Sequence, residues 1–332
     1  MDVTDLLARA AEAGASDLHL AAGEIPMLRL DGELHRMNLP CVLPAALTDS
    51  LAPWLDDDQR QQWAQGDEQD LALALPSIGR FRLNLFRQLK GPAATFRLIP
   101  KRIATLEELN LEEVFRAVAQ CTDGLILVGG PTGSGKSSTL ATLIDQINRE
   151  RSLHIVTLED PVEVIHSSQR SLVNQREVGR HCRDFAHGLR SALRQDPDVI
   201  MIGELRDLET IRLALRAAET GHLVLATVHT RSAASSVDRL VEVFAAEEKP
   251  LVRAMLAESL RMVVAQVLVK RVGGGRVAAR EVLMATPAVR NLIREGRMAQ
   301  LCSVMQAGAS EGMRTMEGAL RGLRDKGLIS PC

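Results

Sequence analysis

The chain has 332 residues, of which 46% are hydrophobic and 25% charged, and its net charge is −2. That length holds two domains with cores of their own, and the charge balance gives no general attraction to polyanions. Aromatics make up 2% with no tyrosine, which leaves few stacking platforms for single-stranded nucleic acid, and no apolar run approaches the ~20 residues of a membrane span.

The five cysteines are scattered, with no C-x-x-C pair, so neither a zinc knuckle nor a disulfide framework is indicated. The N-terminus begins acidic and lacks the basic start and apolar stretch of a signal peptide. The expected location is the cytoplasm.

In chain order, residues 1–100 read as a mixed α/β domain. "DVTDLLARAAEAGAS" has apolar residues at helical spacing. "LRLDGELHRM" alternates around Asp31-Gly32, a hairpin signal. "RFRLNLF" places Phe81, Leu83 and Leu85 on one face, with Arg80, Arg82 and Asn84 on the other. "ATFRLIP" ends at Pro100. Residues 101–120 are charged and helical in pattern, a linker plus the first helix of the next domain. From 121 to 332 the texture changes. The strand-like runs "GLILVG", "LHIVTL", "DVIMIG" and "HLVLATV" alternate with helical stretches, the pattern of a parallel sheet with helices on both faces. The tail from 250 on reads as mostly helical, broken by "GGG" at 273–275.

"GPTGSGKS", residues 130–137, matches G-x-x-x-x-G-K-[ST] and stands between a strand and a helical run, the context this motif requires. Glycines let the backbone wrap a phosphate with its N–H groups, and the helix N-terminus adds a positive dipole end. The predicted ATP-holding set is Gly130, Thr132, Gly133, Ser134, Gly135, Lys136, Ser137 and Ser138. Lys136 is expected to reach the β- and γ-phosphates and Ser137 to ligate Mg²⁺.

Ligands of open α/β sheets bind at the carboxyl ends of the strands. Each remaining strand carries a polar group there: Glu159 and Asp160 after "LHIVTL", Glu204 after "DVIMIG", His229 after "HLVLATV". Gly203 occupies the place where many phosphate-loop ATPases have a magnesium-binding aspartate, so Glu204 is cast as general base. The alternative is a carboxylate at a helix N-terminus. Glu159, Asp160 and Glu163 form an acidic cluster able to hold Mg²⁺ through water and orient the nucleophile; a solvated acidic turn is the competing account. His229 is expected to sense the γ-phosphate. His222, at the opposite end of the same strand, is expected to be structural or to meet a neighbouring subunit. Arg82 and Arg97 lie on the non-core side of the small sheet. They are either a solvated face or arginines that reach nucleotide from the first domain and neutralise transition-state charge.

In this order "GPTGSGKSS", "LEDPVEVIH", "ALRQDPDVIMIGELRDLET" and "AAETGHLVLATVHT" resemble the secretion ATPases of type IV pili and type II secretion. "GASDLHL" and "VNQREV" fit as well, and "AVRNLIRE" at 288–295 looks like the motif of the pilus-retraction branch. Val289 stands where isoleucine is usual. Assembly and type II members carry a four-cysteine zinc element that is missing here. The resemblance implies a PAS-like N-terminal domain, a RecA-like ATPase domain and a homohexameric ring. It further implies ATP hydrolysis with Mg²⁺, coupled to work on an inner-membrane platform protein. The ring would sit at the cytoplasmic face of that membrane, held there through the platform. A DNA motor on the same core and a nucleotide-binding regulator with little turnover are the rival readings. The acidic balance and scarce aromatics oppose the first, and no nucleic-acid partner is expected. Lys136 together with Glu204 opposes the second.

Overall fold

A computed structural model of the chain describes residues 2–99, 102–111 and 113–331. Pro100 of the last predicted N-terminal strand and Lys101 of the predicted linker lie outside the described residues. The chain divides into two compact units, Met1–Arg102 and Ile103–Cys332.

The first unit holds β1 (Asp17–Ala21), β2 (Met27–Leu30), β3 (Glu33–Arg36), β4 (Gln69–Leu75), β5 (Gly79–Gln88) and β6 (Gly91–Ile99). They form one antiparallel sheet in the order β3-β2-β1-β6-β5-β4. Asp31 and Gly32 both have positive φ, at 49° and 93°. This is the two-residue turn that the right-handed twist of a hairpin favours. Strand alternation sends Phe81, Leu83, Leu85 and Phe96 into a core with Leu6 and Leu7 of the first helix, Val3–Glu12. The arginines fall on the other face.

The second unit adds β7 (Gly124–Gly129), β8 (His154–Glu159), β9 (Leu172–Glu177), β10 (Val199–Ile202), β11 (Leu223–Val228), β12 (Leu260–Lys270) and β13 (Arg276–Met284). The sheet order is β13-β12-β7-β11-β10-β8-β9, parallel throughout except for β13. Its inner strands β7, β8, β10 and β11 are buried on both faces. Leu125 and Leu127 enter one core with the helices Leu208–Glu219, Ala233–Glu242 and Lys249–Ser259, while Ile126 and Val128 enter another with Glu113–Ala119 and Lys136–Glu150.

One expectation is corrected. The tail is not helical from 250 on: after Lys249–Ser259 the chain forms the β12–β13 hairpin, with the glycines at its turn, before helices resume at Pro287–Glu295. "MVVAQVLV" is a short, β-branched apolar run, and periodicity alone does not tell a doubly buried strand from a buried helix.

Candidate active site

β7 runs straight into the loop 130–135, and Lys136 opens the helix Lys136–Glu150. Gly133 and Gly135 take left-handed φ values of 75° and 88°, which only glycine adopts cheaply. No side chain caps this helix, so its first-turn N–H groups, at exposed Ser137 and Ser138, are left for an anion. Lys136 Nζ folds back to donate to the carbonyls of Gly130 (2.8 Å) and Pro131 (3.0 Å). Burial pushes its ammonium below the usual range, while Glu204 and Glu163 draw it back up. The hydroxyl of Ser134 is buried with no partner. A cation on neutral carbonyls and an orphaned hydroxyl fit a polyphosphate, whose oxygens would accept from both.

β11 and β10 lie side by side next to β7, and their carboxyl ends supply the next two groups. Leu205 N–H donates to Thr227 O at 2.9 Å, and the Thr227 hydroxyl donates to Gly203 O. The backbone on both sides of Glu204 is therefore fixed. Glu204 Oε2 accepts from Arg206 Nε at 2.6 Å and lies 3.3 Å from His229 Nε2. The carboxylate is 12% exposed and the imidazole 45%. A sheltered acceptor thus stands against an open ring.

The acidic stretch follows β8. Glu159 Oε1 accepts from Thr157 Oγ1 at 2.6 Å and from Gln175 Nε2 at 3.1 Å. Burial nevertheless raises its carboxyl above the ordinary range, and the like charge of Glu163 adds to the rise. Gln175 also donates to Val164 O (2.7 Å) and accepts from His166 N–H (2.8 Å), so one amide on β9 ties down the acidic loop. His166 is itself buried, and burial lowers its imidazole to about 4, which keeps it neutral. Asp160 and Thr132 are exposed on the two loops.

Lys136, Glu204, Glu163, Glu159 and His229 therefore gather at one edge of the sheet. Two further predicted residues belong to the other unit. Arg82 grips Asp70 through Nε (3.0 Å) and a terminal nitrogen (2.5 Å), and Arg97 Nε donates to Asp17 at 3.0 Å. The two arginines are direct cross-strand neighbours on β5 and β6. At the far end of β11, His222 Nδ1 is 3.0 Å from Ala217 O, and its own carbonyl accepts from Gly124 N–H. Sequence reasoning missed Gln175, Arg206 and Gln266. Their signals are weak: an amide inside an alternating strand, an arginine in an arginine-rich chain, and a lone amide in an apolar run.

A nucleotide-hydrolysing site on a parallel sheet with a second α/β unit defines a class, and comparison with known proteins narrows it. The type II/IV secretion system protein family matches residues 1–275, and the chain belongs to that family. It is an ATPase, and its relatives include members of the retraction branch. The type IV pilus retraction ATPase PilT of Pseudomonas aeruginosa is 53% identical over 330 residues, spanning 99% of this chain and 96% of the relative. The twitching motility protein of Neisseria gonorrhoeae is 50% identical over 307 residues, spanning 92% and 82%. A crystal structure of the pilus retraction motor PilT with bound ADP superposes with a TM-score of 0.89 at 41% identity, covering 99% of this chain and 95% of that one. Among the described residues no helix is long and apolar enough to cross a membrane.

Proposed function

We propose that this ATPase is the motor of type IV pilus retraction. It works as a homohexamer at the cytoplasmic face of the inner membrane, held there by a platform protein, with no nucleic-acid partner. The reading is carried by the convergence of Lys136, Glu204 and His229 at adjacent strand ends, in a chain 53% identical over its length to a retraction ATPase.

Placement supports the following roles. The loop N–H groups and Lys136 hold the phosphates. Glu204 Oε2 takes a proton from the attacking water as its oxygen bonds the γ-phosphorus and the bond to ADP breaks. His229, hydrogen-bonded to Glu204 and open on its other side, reads the γ-phosphate, and Glu163 orients the water. Mg²⁺, when bound, neutralises charge on the β- and γ-phosphates. Ser137 would ligate it directly, and Glu159 and Asp160 through water. Among the described residues no three His, Cys, Asp or Glu side chains form a ready metal cage. One hydroxyl plus outlying carboxylates suits an ion that keeps most of its waters. Arg82 and Arg97, each paired with a carboxylate of its own unit, are further proposed as arginines that lend positive charge to nucleotide.

The test is a deletion strain of the source organism complemented with Glu204→Gln. Retraction should stop while pili still assemble, and the purified variant should bind ATP without turning it over. Loss of pilus assembly instead would assign the chain to the assembly branch. An Arg82→Ala/Arg97→Ala double variant should slow turnover and still form rings; parent kinetics in it would leave the two arginines as ion-pair partners of Asp70 and Asp17 alone.

A further inference from the structure

Gln266 lies in the middle of β12, inside the apolar run 262–269, and is 1% exposed. Burying a carboxamide is costly unless both of its ends are hydrogen-bonded. Here both ends are spent on one segment. Nε2 donates to the carbonyl of Ser134 at 2.7 Å, and Oε1 accepts from the hydroxyl of Thr139 at 2.9 Å. Ser134 is in the phosphate loop, and Thr139 is in the first turns of the helix that follows it.

The backbone register explains how β12 comes to touch the loop at all. β12 pairs with β7 up to Ala265 opposite Gly129. Gln266 is the next residue, level with the point where the loop leaves the sheet. A Cβ on Gly130 would lie 2.5 Å from the Gln266 carbonyl oxygen, and one on Gly135 would lie 3.2 Å from its Nε2. The loop therefore passes over Gln266 at its start and at its end, and bonds it in between.

Peptide planarity turns this contact into a statement about nucleotide binding. In a trans peptide the C=O and the following N–H point in opposite directions. Pinning the Ser134 carbonyl to Gln266 turns the Gly135 N–H to the side away from β12. A phosphate loop works only if its N–H groups point at the phosphates. Freed from Gln266, the Ser134–Gly135 peptide is able to rotate about Ser134 ψ and Gly135 φ, and Gly135, lacking a Cβ, opposes that rotation least.

We infer that Gln266 is a positioning residue for ATP binding: it touches no substrate, and it holds the phosphate loop in its anion-accepting form from the neighbouring strand. The chemistry is specific to a carboxamide. A carboxylate cannot donate to the Ser134 carbonyl, and an aliphatic side chain serves neither partner.

The inference rests on nucleotide binding at this loop, so the experiment separates the two. ADP affinity is measured by calorimetry on the full chain for the parent, Lys136→Ala, Gln266→Leu, Gln266→Glu, Thr139→Val and Thr139→Ser. Lys136→Ala should weaken ADP whatever Gln266 does; parent affinity there would overturn the site itself. Gln266→Leu and Gln266→Glu should each weaken ADP about tenfold or more, Thr139→Val a few-fold, and Thr139→Ser, which keeps the hydroxyl, should bind as the parent does. In steady state Gln266→Leu should raise KM for ATP while kcat stays within about twofold, because the chemical groups are untouched. Parent ADP affinity in a folded Gln266→Leu protein would reduce Gln266 to core packing. If that variant does not fold, parent affinity in Thr139→Val overturns the inference equally well.

Discussion

The two ends of the parallel sheet carry similar residue types and do different things. At the amino ends, Asp123 before β7 pairs with Arg261 on β12. His222 is bonded to Ala217 O. His154 spends both ring nitrogens, on Asp196 O and on Asn174 Nδ2. At the carboxyl ends the polar groups face one another instead: Glu204 with His229, and Lys136 with the carbonyls of its own loop. At the amino ends each group has a partner matched to its charge, an opposite charge for Asp123 and neutral groups for the imidazoles. At the carboxyl ends a cation rests on neutral carbonyls and an imidazole stands half open, which leaves both able to engage an anion. What separates the structural histidine from the functional one at the two ends of β11 is therefore its neighbours.

The strongest way to break this contrast is at the carboxyl ends. Glu204→Gln should lower turnover by ~10²–10⁴ while leaving ATP binding intact, since it removes the proton acceptor and keeps the shape. Lys136→Ala should weaken ATP by roughly 10- to 100-fold, the scale of losing a charge-assisted bond to phosphate. Stopped-flow nucleotide binding with steady-state phosphate release measures both. Normal turnover by the glutamine variant would remove Glu204 from the mechanism.

The contrast sharpens between the two residues that flank β11. His222 and His229 stand seven residues apart, about 23 Å at the usual strand rise, so both cannot reach one phosphate. His229→Ala should lower kcat about tenfold or more, because it faces Glu204. His222→Ala should stay within about twofold, its cost appearing in thermal stability as one lost backbone contact. Equal losses of kcat in the two variants would remove the distinction between the ends.

Much of this was legible in the residues, and the reason is local. The phosphate loop is contiguous, its glycines are demanded by backbone geometry, and Glu204 and His229 follow recognisable strands directly. The Asp31-Gly32 turn is likewise a short-range instruction. What stayed hidden depends on contacts between distant segments. Gln266 meets Ser134 across 132 positions and Gln175 meets Glu159 across 16, and nothing near either glutamine announces it. The β12–β13 hairpin was misread for a related reason: a strand buried on both faces by other elements shows no alternation of its own. Arg82 and Arg97 were visible as a pair on one face, but their carboxylate partners lie on β4 and β1.

The smallest expected effect on nucleotide lies at the amino ends, in the helix Pro287–Glu295. Thr286 caps it and Pro287 opens it, and Val289, Leu292 and Ile293 are buried. Its polar residues divide into two kinds. Arg290 donates to the carbonyls of Ala257 and Leu260 at 2.6 and 3.0 Å and to that of Ala285 at 2.9 Å. It thereby closes the C-terminus of Lys249–Ser259 where β12 begins, which makes it a fastener, and Arg290→Ala should cost about 2 kcal/mol in stability. Arg294 pairs with Glu258, and Asn291 with Glu295, on the exposed side. Exposed pairs contribute little to folding, so Asn291, Arg294 and Glu295 are available for other work. The helix packs against the start of β12, about a strand length from the phosphate loop at the carboxyl ends. Replacing Asn291, Arg294 and Glu295 with alanine should leave the melting temperature and ATP affinity near the parent's and impair pilus retraction in complemented cells. Normal retraction would make the helix packing alone. Lost ATP affinity in the folded triple variant would mean that the two ends of the sheet are not separate in function.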